Sequence, residues 1–91
     1  MKKNAIMNYF RGGVEVAGES LPFRPVIEIC GHDRVLIENH KGITDYSLRR
    51  IGVGVGFGEV VIEGENLRLC QISGSKLVIR GCIQNVALCR G

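Results

Sequence analysis

Ile51-Gly52-Val53-Gly54-Val55-Gly56-Phe57-Gly58-Glu59-Val60-Val61-Ile62-Glu63-Gly64 is the stretch that decides the fold. From Ile51 to Gly58 every second residue is apolar and every other one is glycine. That is a period of two, the period of a strand. The run looks at first like a glycine-rich nucleotide loop. A G-x-G-x-x-G loop would need glycine at position 57, where Phe57 stands, and the Gly-Lys-Ser/Thr of a P-loop is missing. Glycine on one face of a strand removes side chains there and lets another backbone come close. Gly52, Gly54 and Gly56 therefore read as a surface for close sheet packing or for contact with a second copy.

Working outward, the chain reads as strand after strand from Leu21 to its end. Ile27 and Ile29 share a face, as do Val35 and Ile37, and a three-residue loop at Gly31-His32-Asp33 pairs Ile29 with Val35. A loop at Gly58-Glu59 would pair Phe57 with Val60. Ile62 and Leu67 differ in parity, so a two-residue type II′ turn at Gly64-Glu65 would pair them and keep the apolar face continuous. Leu69 and Ile79 have equal parity, which asks for an odd loop, Ser73-Gly74-Ser75. A short repeat, Val60-x-Ile62-x-Gly64 and Leu77-x-Ile79-x-Gly81, fits equivalent strands. Ile43 to Arg50 is the one weak helical candidate. One apolar sheet face must be covered by another layer. The expected architecture is all-β: a small antiparallel β-sandwich of meander hairpins, immunoglobulin-like or a partly closed barrel, with residues 26–38 in the second layer.

The 91 residues make one domain, assigned to 21–91. Residues 1–20 form an N-terminal segment of weak order or a short strand around Val14-Glu15-Val16. Apolar residues are 45% and charged ones 23%, which excludes disorder and a charged tail. Net charge is +3 with signs mixed. The few aromatics do not interleave with basic residues, which argues against nucleic acid. The apolar run Ala5-Ile6-Met7 is too short for a signal peptide and no window could span a membrane, so a cytoplasmic protein with reduced thiols is expected.

The polar run Glu38-Asn39-His40-Lys41-Gly42 is the most distinctive. His40 with Glu38 has the spacing of a base and its orienter. The plainer reading is a turn, because Asn39 and Gly42 tolerate positive φ. Glu59, Glu63 and Glu65 read as a solvated face. The cysteines, at 30, 70, 82 and 89, form no C-x-x-C pair and read as small buried or half-buried residues. Cys30 and His32 form a C-x-H that could offer two metal ligands. No catalytic, cofactor or metal site is expected. The alternative is a small enzyme using Glu38 and His40, or a metal-binding module using Cys30 and His32.

Val35-Leu36-Ile37-Glu38-Asn39-His40-Lys41-Gly42-Ile43, Tyr46-Ser47, Gly58-Glu59-Val60-Val61-Ile62-Glu63-Gly64 and Leu77-Val78-Ile79-x-Gly81 resemble the YabP/YqfC family of sporulation proteins. The Ile37–Ile43 run is similar to its YqfC branch. The resemblance implies a small all-β protein of the mother cell, made while the spore cortex and coat are built. It implies a protein partner, a membrane protein encoded nearby or a second copy, with recruitment to the forespore membrane, and it implies no activity or cofactor. The chain departs from the family pattern at Gly52, Gly54 and Gly56, where larger polar side chains are expected. The candidate interaction surface is Glu38, Asn39, His40, Gly42, Gly52, Gly54 and Gly56.

Overall fold

Two long alternating runs meet at Gly74-Ser75 and zip into a hairpin that runs the length of the molecule. The computed structural model describes residues 24–91. The hairpin arms are β5 (Gly58–Ser73) and β6 (Lys76–Arg90). Fifteen residues of straight strand would reach about 50 Å. The molecule measures 42 × 24 × 24 Å, so the arms bend. The other strands are β1 (Val26–Cys30), β2 (Arg34–Glu38), β3 (Ile43–Tyr46) and β4 (Arg50–Val55). All pair antiparallel in one open sheet of order β1-β2-β6-β5-β4-β3, with no helix among the described residues.

The bend turns that sheet into two layers. β2 pairs with residues 76–80 of β6, while β4 pairs with residues 58–63 of β5. Each arm of the hairpin thus serves one layer with one end and the other layer with the other. The register slips between Glu63 and Gly64 and again between Glu65 and Arg68. Asn66 takes φ of 55° there, a left-handed conformation that flips which side chains face inward. Val60 and Ile62 point to the core before the bend and Leu67 after it. The fully buried core is Val35, Ile37, Ile51, Val53, Val60, Ile62, Leu67, Leu77 and Ile79, drawn from both layers.

Several expected features stand. The all-β two-layer fold is present. Ile29 pairs with Val35 across the Gly31-His32-Asp33 loop. Leu69 pairs with Ile79. That pairing is reached differently, by a two-residue Gly74-Ser75 turn plus a register slip between Leu69 and Gln71.

Other features are corrected. No hairpin forms at Gly64-Glu65, which lies inside β5 at the bend, because a bulge changes parity as well as a turn does. The β4–β5 turn is at Gly56-Phe57, so Val53, not Phe57, pairs with Val60. Ile43 to Arg50 is not helical. Residues 43–46 form β3, and the Ser47 hydroxyl accepts from the N–H groups of Arg49 and Arg50 to hold the following turn. The four cysteines are exposed, not buried. Cys30, Cys82 and Cys89 pair with Arg34, Glu65 and Glu59, which places them away from the core. The strand expected around Val14 and the segment 1–20 lie outside the described residues.

The two repeat units end on Gly64 and Gly81, which sit at the bend of the two arms. A Cβ on Gly64 would collide with the Cys82 carbonyl oxygen. One on Gly81, at φ +143°, would lie 2.7 Å from the Asn66 carbonyl oxygen. Backbone cannot retreat from such contacts cheaply. Gly64→Ala and Gly81→Ala are each expected to cost about 3 kcal/mol or more in urea unfolding. Gly56→Ala, with open space around it, is expected to stay within about 1 kcal/mol of the parent.

Candidate interaction site

The chain leaves β2 at Glu38 and must cross from one layer to the other before β3. The segment 39–42 makes that crossing, and its polar residues fasten it. Asn39 takes φ of 64° and its side-chain amide donates to the Arg24 carbonyl at 2.6 Å. The His40 N–H donates to the Ser75 carbonyl at 3.2 Å, tying the crossing to the turn of the long hairpin. The Gly42 N–H donates to His40 Nδ1 at 3.0 Å. Nδ1 is therefore the unprotonated nitrogen and the proton sits on Nε2. That atom is buried and has no hydrogen-bond partner among the described residues. Gly42 itself has φ of 115°, which no β-branched or bulky residue adopts without strain.

Beyond the crossing the chain docks on the glycine side of β4. The Lys41 N–H donates to the Gly54 carbonyl at 2.7 Å, and the Gly54 N–H to the Gly42 carbonyl at 2.8 Å. Gly52 faces Thr44 and Glu59, whose hydroxyl and carboxylate are hydrogen bonded to each other over it. Gly52 is buried, Gly54 half-buried and Gly56 exposed in the β4–β5 turn. The close backbone approach expected at the glycines is thus met within the chain, by residues 41–45. Of the seven candidate residues, Glu38, Asn39, His40, Gly42, Gly52 and Gly54 belong to one region, the crossing and the strand it docks on. Gly56 lies apart from it.

The carboxylates act as surface partners. Glu38 faces Lys76 at 3.4 Å. Arg50 bridges Asp45 at 3.1 Å and Glu63 at 3.2 Å, and Asn85 donates to Glu63. These pairs are about half exposed and each contributes little. Cys30 stands on β1, while His32 lines a shallow groove of about 300 Å³ with Ile29, Ile83 and Val86. Among the described residues no three His, Cys, Asp or Glu side chains gather as a metal set. No helix there is long and apolar enough to cross a membrane.

Sequence reasoning located the crossing but not what lies beside it. β3 ends the sheet order, and its outer edge has no neighbouring strand among the described residues. Ile43 and Tyr46 on that strand are 36% and 55% exposed. The only signal for this edge was the short Ile43–Tyr46 stretch that also reads as a weak helix.

The fold and this region define a small all-β protein with its polar run spent on a layer crossing beside an open sheet edge. The chain belongs to the YabP family, whose sequence model matches residues 22–90. It is similar to YqfC of Bacillus subtilis (strain 168), a protein described as uncharacterized. The two are 24% identical over 85 residues, which cover 93% of this chain and 91% of that protein. No solved structure matches the chain.

His40→Ala removes the acceptor of a part-buried N–H. It is expected to lower stability by about 1–2 kcal/mol in urea unfolding. Lys41→Ala, which keeps the backbone bonds and truncates an exposed side chain, is expected to change it by less than about 0.5 kcal/mol.

Proposed function

We propose that this chain is a non-enzymatic sporulation protein that acts through protein–protein contact. Membership of the YabP family supports the sporulation role. The proposed stage is the building of cortex and coat, in the mother cell, at the forespore membrane. The proposed partner is a membrane protein or a second copy of the chain.

The observation that carries the contact reading is the β3 edge with the crossing beside it. Among the described residues β3 has no strand paired on one side, and it carries two exposed apolar side chains, Ile43 and Tyr46. An edge of this kind takes an added strand from a partner. A short strand with a register shift limits unspecific pairing, and β3 has both features. Glu38 and His40, the groups of the enzymatic alternative, are engaged with Lys76 and with Gly42. That supports a structural use of both.

The test is a fluorescently tagged copy followed through spore formation, beside the same copy carrying Ile43→Lys and Tyr46→Lys. A ring at the forespore boundary for the parent and diffuse signal for the variant is the expected result. Both side chains are exposed, so the variant should unfold within about 1 kcal/mol of the parent. Diffuse signal from the parent throughout sporulation overturns the recruited-partner reading. A ring from a folded variant moves the contact away from β3.

A further inference from the structure

Three arginines far apart in the chain form a line across the sheet. Arg34 of β2 is directly opposite Arg80 of β6, and Arg80 is directly opposite Arg68 of β5. Opposed residues of an antiparallel pair share a face. Their chain neighbours Val35, Leu67 and Ile79 are in the core, so the arginines stand on the outer face, and all three are exposed. Strands lie about 4.8 Å apart, so the three side chains leave the sheet within about 10 Å. Among the described residues none of them is ion-paired, whereas Arg50 and Lys76 are. Like charges set directly opposite each other destabilise a sheet. An anionic surface laid over the row would remove that repulsion.

We propose that this row is a docking surface for the phosphate layer of an anionic membrane. Guanidinium groups match phosphate oxygens two at a time. The row stands on an outer sheet face, not in a cleft, whereas sites for small free phosphates are concave. The same face carries Leu36 opposite Val78 in the next row but one along each strand, both half-buried. Apolar side chains beside arginines suit the boundary between headgroups and acyl chains. None of the residues that β1, β2 and β6 place on this face is aromatic, so it lacks the stacking platform that single-stranded nucleic acid uses. Asp33, next to Arg34 in the chain, places its carboxylate beside Gly31 in the β1–β2 loop, and Glu28 stands opposite Leu36.

The test uses the full chain and sedimentation with phosphatidylcholine vesicles, with and without phosphatidylglycerol. The variant carries Arg34→Gln, Arg68→Gln and Arg80→Gln. A control carries Lys41→Gln, Arg49→Gln and Arg90→Gln and loses the same charge elsewhere. The parent and the control are expected to bind the anionic vesicles, and more weakly in high salt. The row variant is expected to lose about fivefold in partitioning per arginine, about a hundredfold in all. Its urea midpoint should equal or exceed the parent's, because the repulsion is gone, and this separates lost binding from lost folding. Equal binding by parent and row variant overturns the proposal. So does equal binding to uncharged vesicles, or binding to poly-glutamate with none to vesicles, which would assign the row to an acidic protein instead. The proposal does not depend on the β3 edge: a protein that loses its ring only through Ile43→Lys and Tyr46→Lys still passes or fails here.

Discussion

A single pair of strands must supply the inner face of both layers. That constraint organises the molecule. A strand shows one face to a core, so a strand continuing into a second layer must exchange its faces where it bends. β5 does so at Asn66 and β6 does so where its register slips opposite Gly64. Both arms come too close there for a side chain, and glycine occupies both positions. The core follows from this exchange: Ile62 and Leu67 lie on one strand, yet both are fully buried between layers.

The crossing at 39–42 depends on the same geometry. Once the hairpin has placed its turn next to the end of β2, the Ser75 carbonyl is available to the His40 N–H. The chain can then reach β4, where Gly54 lets it pair closely. The histidine works here as a rigid acceptor for its own backbone two residues on. Its polar character, which reads in isolation as chemistry, is used to close a short loop across the core. β3 is what remains at the far side of that crossing, with one edge paired and one without a neighbouring strand among the described residues.

Local pairing was legible in the sequence where loop length and parity left one solution. Ile29 with Val35 is such a case; Leu69 does pair with Ile79, but through a two-residue turn and a register slip and not through the expected three-residue loop. Gly64-Glu65 was misread because a tight turn and a bulge with a left-handed residue change parity alike. Only the tertiary partners of the next strand distinguish them. Phe57 was placed in β4 because alternation continues through it, although the turn begins at Gly56. At the candidate site Asn39 and Gly42 were readable as positive-φ residues. The cover that Thr44 and Glu59 form over Gly52 was not, since nothing in the spacing places β3 there. The arginine row was invisible for the same reason. Arg34, Arg68 and Arg80 are brought together by two separate strand pairings, one of them across a register slip.

The pattern of pairing also sets the order in which the chain can assemble. Four of the five strand pairings join neighbours in the chain: β1 with β2, β3 with β4, β4 with β5 and β5 with β6. Each can close from its own turn at small entropic cost. Only β2 with β6 joins distant segments. It brings residues 34–38 against residues 76–80. Completing the sheet thereby comes down to one long-range docking, of the β1–β2 hairpin onto the β3–β6 meander.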